Sequence, residues 1–219
     1  MTPTIIYCYD AYCGWCYGFS PVMTKISGEY KARIIFETLS GGMIPAESAQ
    51  HISVTAGYIR DAYPRVEELT GIKFGKDYLW HINNPEKSDW YPSSEKPAIA
   101  MAVFRDYHPE ETIEFAADLQ MALHAEGRDL TDDEAYRHLL DKYDIPAGEF
   151  YEKLKSADYK EKAYYDFSLV KQLQVTGFPA VLMQVDELKF YLLAWGYTVY
   201  ETLKSRIDKV IQEHQQTAK

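Results

Sequence analysis

Residues 4–21, TIIYCYDAYCGWCYGFSP, place an apolar run directly before two cysteines that are three positions apart. The run consists of β-branched and aromatic residues without polar alternation, which predicts a central strand covered on both faces. Apolar residues at helical spacing follow over residues 14–30, and Pro21 is expected to kink that helix. The sequence therefore predicts that Cys13 and Cys16 lie where a buried strand ends and a helix begins.

The rest of the chain has a simple order of predicted elements. Residues 32–40 are typical of a second strand, and residues 46–156 carry almost wholly helical signals. Strand character returns near the C-terminus in two runs whose short separation favours a hairpin. The elements predicted after the helical block are a helix at about 159–174, strands at 179–185 and 189–195, and a helix at about 199–214.

Three helices inside the block have recognisable starts. One is predicted to open at Pro97, and another at Pro109, where acidic residues follow, with its end at Gly127. A third carries a capping-box pattern from Thr131 to Glu134. The block is therefore predicted to be a helical unit of its own.

The composition excludes several classes of protein. The chain has 219 residues, of which 47% are hydrophobic and 26% charged, as expected of one large domain or of a domain with an insertion. No apolar run has the length of about 18 residues that a membrane span needs. A net charge of -10 disfavours nucleic acid as a partner. The first residues, MTPTIIYCYD, lack the basic and apolar regions of a signal peptide, so a cytoplasmic protein is expected.

The cysteine pair has the spacing that thiol–disulfide exchange requires. This reaction needs one thiolate that attacks a disulfide and a second thiol that releases the resulting mixed disulfide. Unpaired N–H groups and the positive end of the helix dipole favour an anion at Cys13, and Cys16 follows one turn later on nearly the same side. We therefore expect Cys13 to be the nucleophile and Cys16 the resolving cysteine.

The sequence gives less support to other roles for the cysteines and histidines. A lone CxxC supplies only half of a zinc site, and the six histidines show no ligand spacing, so no metal is predicted. Each histidine is expected at the surface or in a capping position. Two inert core thiols remain an alternative for the pair, although glycine beside an aromatic residue is a poor core segment. Cys8 lies inside the apolar strand and is expected to be a buried structural thiol.

The motif CGWC after the first strand, TGFPA at residues 176–180 and the helical block between them resemble the DsbA family, more closely its cytoplasmic FrnE-like members. The resemblance implies an α/β thioredoxin fold with a large all-helical insertion between the βαβ half and the ββα half. Residues 1–45 and 157–219 would form the thioredoxin-like domain, and residues 46–156 the inserted helical domain.

The same resemblance implies a substrate-binding loop around Gly177, Phe178 and Pro179. In this family the corresponding proline is cis and faces the cysteine pair, so a cis Phe178–Pro179 bond is expected beside Cys13. The backbone at Phe178 would then be able to pair with an extended peptide as an added strand would.

Residues near the cysteines are expected to shape the site further. Gly14 and Trp15 lie between the cysteines, and Trp15 is the best candidate for an exposed substrate contact. Met43 follows the second strand, which ends at the same edge of the predicted sheet, and is expected near the sulfurs. The aromatic residues around the motif would suit a groove for an apolar peptide or a small organic substrate.

These features predict a protein-disulfide oxidoreductase or isomerase that acts on protein or small disulfides as a monomer or homodimer. It would need no cofactor beyond its own redox-active disulfide. The pair Gly14-Trp15 replaces the proline-histidine pair of the periplasmic oxidants, which favours a reductase or isomerase over a net oxidant. Two alternatives stay open: a glutathione-dependent transferase or isomerase like the kappa-class and hydroxychromene-carboxylate enzymes, and a non-catalytic DsbA-like adaptor that binds a client protein.

Overall fold

The computed structural model describes residues 2–217, so residue 1 and residues 218–219, the ends of the predicted thioredoxin-like segments, lie outside the described residues. The strands are β1 (Thr4–Tyr9), β2 (Ile35–Ser40), β3 (Ala180–Asp186) and β4 (Lys189–Trp195). The helices are α1 (Gly14–Tyr30), α2 (Ser53–Thr70), α3 (Lys76–Asn83), α4 (Glu95–Phe104), α5 (Thr112–His124), α6 (Arg137–Lys142), α7 (Ala147–Leu154), α8 (Ala157–Gln172) and α9 (Tyr200–Thr217), with short 3-10 helices at Ala46–Ser48, Pro85–Lys87, Pro109–Glu111 and Asp133–Tyr136.

The four strands form one sheet in the order β2-β1-β3-β4. β1 and β2 are parallel and are joined by α1, whereas β3 is antiparallel to both β1 and β4. The first half of the fold is thus βαβ and the last half, which ends in α9, is ββα. Helices α2 to α8 stand between the two halves. The predicted thioredoxin fold with a helical insertion is confirmed. None of the helices within residues 2–217 is long and apolar enough to cross a membrane.

Strand β1 is buried along its whole length, as its composition predicted. Because side chains alternate along a strand, Tyr7 and Tyr9 belong to the main core with the residues of α1, whereas Ile6 and Cys8 belong to a smaller core with residues of α8. The strand therefore has a helix on each face. Its C-terminal end leads into the loop that carries the first cysteine.

Strand β2 begins at Ile35, three residues later than predicted. The backbone N–H groups of Arg33 and Ile34 both donate to the carbonyl of Tyr30, at 2.9 and 3.0 Å. These bonds form a turn that carries the chain out of α1. The residues between the helix and Ile35 are apolar enough to suggest a strand, but their backbone groups are used in this turn.

The predicted capping box at Thr131 is wrong. The side chain of Asp132 accepts the hydrogen bond from the Glu134 N–H, at 3.1 Å, and so caps the short 3-10 helix that precedes α6. The Thr131 hydroxyl instead donates to Asp129 Oδ1 at 2.8 Å. The segment starts one residue later than predicted because Asp132 competes successfully for the free N–H group.

A buried ion pair between the insertion and α8 covers the outer edge of β2. Arg105 contacts both carboxylate oxygens of Asp166, with distances of 3.1 and 2.6 Å. Arg105 also donates to the Thr38 carbonyl, and Asp166 Oδ2 accepts from the Ser40 N–H at 3.1 Å. These contacts satisfy outward-facing backbone groups of an edge strand, which otherwise invite pairing with another chain. They also tie the last turn of α4 to the sheet.

Candidate active site

Cys13 is the N-cap residue of α1, with extended backbone angles of φ -81° and ψ 109°. Its sulfur accepts a hydrogen bond from the Cys16 N–H at 3.3 Å. The Cys13 N–H donates to the Asp10 carbonyl at 3.1 Å, and the Cys13 carbonyl accepts from Tyr17 at 3.0 Å. The thiol therefore occupies the position that a serine or aspartate usually takes at a helix start. The free N–H groups and the dipole of α1 favour negative charge on this sulfur.

The two thiols of the motif differ in their access to solvent. Cys13 is 7% exposed, whereas Cys16 is completely buried. Burial raises the pKa of the Cys16 thiol well above its ordinary value, and the hydrogen bond and negative charge of Cys13 raise it further. Both are free thiols in this structure. Cys16 therefore stays protonated behind the first sulfur, and only Cys13 can meet an incoming disulfide.

The loop before β3 lies directly beside Cys13. The Phe178–Pro179 peptide bond is cis, as the family resemblance implied. The Cys13 thiol donates to the Phe178 carbonyl at 3.6 Å. The Pro179 carbonyl accepts from the Gly196 N–H at 2.7 Å, which holds the loop to the end of β4. A side-chain carbon at Gly177 would lie 3.8 Å from the indole nitrogen of Trp195.

The ring of Phe178 packs on the segment that follows β2. A side-chain carbon at Gly41 would lie only 2.2 Å from this ring, so the close approach requires glycine there. Phe178 thus links two loops at the end of the sheet: its carbonyl reaches Cys13 and its ring contacts Gly41. Its side chain therefore positions the backbone that faces the sulfur.

Asp10 holds the loop of Cys13 in place, and sequence reasoning missed it. Its carboxylate accepts from the Tyr12 N–H at 3.0 Å, the Ser94 hydroxyl at 2.9 Å and the Met43 N–H at 2.8 Å. Gln120 Nε2 donates to the Asp10 carbonyl at 3.2 Å. Burial raises the pKa of the Asp10 carboxyl, an effect that these N–H and hydroxyl donors reduce. One residue after β1 therefore binds the loop after β2, the start of α4 and the middle of α5.

An apolar cavity of about 350 Å³ borders Cys13. Helix α2 and neighbouring parts of the insertion form its far wall. Among the described residues, none of those that line it carries a charged side chain. The lining residues include Cys13, Gly14, Trp15, Tyr12, Met43, Ile44, Ile52, Tyr58, Ile59, Ala62, Tyr63, Val66, Phe74, Tyr78, Trp90 and Leu123.

The predicted site residues are thus grouped around one sulfur. Gly14, Trp15 and Met43 line the cavity with Cys13. Trp15 was expected to be exposed, but it is half-buried because it packs against the main core. The 44% exposed side chain of Met43 is more accessible.

Cys8 lies apart from this group, on the other face of the sheet. It is completely buried in the smaller core, which α8 covers. Burial raises the pKa of its thiol to about 12. Such a thiol is almost never a thiolate near neutral pH, which agrees with the structural role expected for Cys8.

The expectation for the histidines is wrong at His124, which is 1% exposed at the end of α5. Its ring stacks on Tyr17 at 5.0 Å and lies edge-on to Tyr78 at 4.9 Å and Phe74 at 5.4 Å, behind the cavity wall. Burial lowers the pKa of its imidazole to about 3. The apolar face of α5, which ends at His124, is the feature of the sequence that could have predicted its burial. Within residues 2–217, no group of three or more His, Cys, Asp or Glu side chains could hold a metal ion.

Residues 4–208 match the family model described as the DSBA-like thioredoxin domain. No curated protein matches the chain. Among solved structures, a candidate protein disulfide isomerase from Nitrosomonas europaea is 24% identical, with a TM-score of 0.83 over 98% of this chain and 100% of that chain. The cytosolic disulfide reductase DsbM from Pseudomonas aeruginosa, also solved with GSH, is 24% identical, with a TM-score of 0.78 over 97% and 99% of the two chains. A 2-hydroxychromene-2-carboxylate isomerase is 12% identical, with a TM-score of 0.66 over 98% of each chain. At these identities the three structures show a shared fold.

Proposed function

Because this chain belongs to the family of DSBA-like thioredoxin domains, we propose that its Cys13–Cys16 pair carries out thiol–disulfide exchange. Cys13 is the nucleophile and Cys16 the resolving cysteine. The observation that supports these roles most directly is the difference in their surroundings. Cys13 caps α1 and is 7% exposed, whereas Cys16 is fully buried.

The exchange proceeds in two steps. The Cys13 thiolate attacks one sulfur of the substrate disulfide, the substrate S–S bond breaks, and the departing sulfur takes the electron pair and then a proton from water. Cys16 next loses its proton and attacks the Cys13 sulfur. The bond from Cys13 to the substrate breaks, and the second substrate sulfur leaves with its electron pair. The substrate gains two electrons and the protein keeps a disulfide, which an external thiol reductant must reduce before the next cycle.

The favoured direction is reduction or isomerisation, in a cytoplasmic setting. The N–H of Cys16 supports charge on Cys13, but Gly14 and Trp15 add neither a proton donor nor a positive charge between the cysteines. In a reducing compartment such a pair rests mostly as a dithiol. No cofactor beyond the Cys13–Cys16 disulfide takes part in this scheme.

The substrate disulfide is proposed to carry an apolar group on one side. The Phe178 backbone and the cis-proline loop can hold an extended peptide on one side of Cys13. The cavity of about 350 Å³ that borders Cys13 is in the size range of small-molecule sites and is walled mainly by aromatic and aliphatic side chains. Its far wall comes from the inserted helical domain, which we place at residues 46–156.

This cavity argues against glutathione as the preferred partner. Glutathione carries two carboxylates and an ammonium group, and burying a charge without a partner is costly. Among the described residues that line the cavity, none offers a charged side chain to pair with them. The glutathione-dependent transferase alternative is therefore less well supported than exchange with an apolar peptide or organic disulfide.

The proposal is tested with a Cys16→Ser variant and a substrate protein that contains one disulfide. The first step should still occur, so a mixed disulfide should accumulate, and mass spectrometry of its peptides should place the link at Cys13. Cys13→Ser should yield no adduct, and Cys8→Ser should behave like wild type in an insulin-reduction assay. An adduct at Cys8, or wild-type protein that never turns over, would contradict the proposed function.

A further inference from the structure

Tyr7 is a buried residue of β1 whose hydroxyl has no assigned role. Its side chain is 1% exposed, and its ring stacks on Tyr9 at 5.6 Å and contacts Phe19 at 6.2 Å. Among the described residues, none offers its hydroxyl oxygen a hydrogen bond of ordinary geometry. Burying a polar group without a partner costs free energy, and such groups are uncommon in folded proteins. The presence of this unpaired hydroxyl in the core therefore calls for an explanation.

The ring of Tyr7 packs against the turn of α1 that carries Cys16. Phe19, which the Tyr7 ring touches, follows Cys16 by three positions on α1, so both side chains are on the same face of the helix. Tyr7 and Cys16 also share the main core. Burial raises the pKa of the Tyr7 phenol, and the nearby negative charge of a Cys16 or Cys13 thiolate raises it further.

We propose that the Tyr7 hydroxyl donates a hydrogen bond to the Cys16 sulfur as that sulfur gains negative charge. The inference rests on the proposed function, because only the resolving step brings charge to this buried position. When Cys16 attacks the mixed disulfide, its proton passes to water and the Cys13–Cys16 bond forms. The bond from Cys13 to the substrate breaks, and the substrate sulfur leaves with the electron pair. Tyr7 keeps its own proton throughout and stabilises the thiolate that precedes bond formation. In the reverse direction it stabilises Cys16 as the leaving thiolate.

The buried carboxylate closest in sequence to the pair, that of Asp10, is committed to other donors. The Asp10 carboxylate accepts from Tyr12, Ser94 and Met43, and its negative charge opposes a thiolate at Cys16. Tyr7 remains an uncommitted hydroxyl donor in the core that it shares with a sulfur that must carry charge.

Among the described residues of the helices packed against α1, Glu67 of α2 is paired with Lys73 and with the Phe74 N–H. On α5, the Gln120 amide is bonded to the Asp10 carbonyl, and burial keeps His124 neutral by lowering the pKa of its imidazole to about 3. Glu114 of α5 and Asp208 of α9 bond to Ser27 and Tyr30, near the opposite end of α1.

The test is a Tyr7→Phe variant with Tyr9→Phe as its matched control. Both changes remove one hydroxyl from a 1% exposed ring on β1. Reduced protein is mixed with the chromogenic disulfide dithiobis-nitrobenzoate in a stopped-flow instrument, where Cys13 attack releases one coloured thiolate and Cys16 resolution releases the second. Tyr7→Phe should slow the second release by about tenfold, as expected for loss of a hydrogen bond to a charged group, and shift its pH profile upward. The first release should be unchanged.

The outcomes separate this inference from a structural role and from the proposed function. Removing an unpaired hydroxyl should not lower the melting temperature, so a slower second release at unchanged stability supports the inference. If Tyr7→Phe and Tyr9→Phe show the same second-release rate and pH profile as wild type, the inference is wrong while the exchange reaction stands. If wild-type protein shows no second release, the resolving role of Cys16 itself fails.

Discussion

Replacing His124 with leucine should make the folded state less sensitive to acid. The imidazole is 1% exposed, and burial lowers its pKa from 6.5 to about 3. In the unfolded chain the same group takes up a proton once the pH falls below about 6.5. The folded state therefore loses stability as the pH drops from about 6.5 towards 3, because protonation favours the unfolded chain over this interval.

The size of the effect follows from the two pKa values. Within the interval, each pH unit changes the free energy of unfolding by about 1.4 kcal/mol. Between pH 7 and pH 5, His124 alone should lower the free energy of unfolding of the wild-type protein by about 2 kcal/mol. The interval from pH 7 to pH 6.5 contributes little, because the imidazole is still mostly neutral in the unfolded chain there. The leucine variant should lack this contribution, whatever its stability at pH 7.

The assay is urea denaturation of wild type and His124→Leu at pH 7 and pH 5, followed by circular dichroism. Tyr78→Phe is the control, because it changes the same aromatic cluster, and burial raises the pKa of its phenol far above this pH range. Between pH 7 and pH 5, the free energy of unfolding of Tyr78→Phe should fall by as much as that of wild type. Equal losses in wild type and His124→Leu would refute the reasoning, as would an NMR titration in which the His124 ring protonates near pH 6.5 in the folded protein.

Two further changes test the walls of the site. Gly41→Ala places a carbon 2.2 Å from the Phe178 ring and should displace the loop whose carbonyl contacts the Cys13 thiol. We expect a slower first release of coloured thiolate and a free energy of unfolding, measured by urea denaturation, that is lower by about 1–3 kcal/mol. The control is Gly57→Ala on α2, whose added carbon meets no atom within 4 Å and should not lower the free energy of unfolding. Ala62→Glu puts a charge into the apolar cavity and should raise the KM for an uncharged aromatic disulfide by about tenfold or more. Leu69→Glu, at a 43% exposed position of the same helix, should leave this KM unchanged. Equal KM values for the two glutamate variants would contradict the use of the cavity as a substrate site.

The parts of the fold that the sequence predicted well are those with a local pattern. β1, α1 and β4 have the predicted bounds because a run of β-branched residues, a helical periodicity and a hairpin each act over a few neighbouring positions. The cysteine pair was found for the same reason, since its spacing and its place at a helix start are both local. The start of β2 was missed because residues 32–34, which precede an apolar run, form a turn whose hydrogen bonds the composition does not reveal.

The missed site residues depend on contacts between distant segments. Tyr7 has the same local pattern as any aromatic residue in a buried strand, and the role we propose for it depends on the packing of β1 against α1. His124 was misplaced because a histidine at the end of a helix is typical of a surface cap, whereas here Tyr17, Phe74 and Tyr78 enclose it. Such enclosure is decided by the packing of α5 on α1 and α3, which no single stretch of sequence encodes.

Asp10 explains why the helical insertion belongs to the active site. Its buried carboxylate is held by Met43 after β2 and by Ser94 at the start of α4, and its carbonyl by Gln120 of α5. Removing any of these donors would leave a buried charge or carbonyl less compensated and would loosen the loop that ends at Cys13. Met43 also lines the apolar cavity. The insertion therefore supplies Ser94 and Gln120, which hold Asp10, and most of the wall of the apolar cavity, so we expect it to affect both the reactivity of the Cys13 sulfur and the choice of substrate.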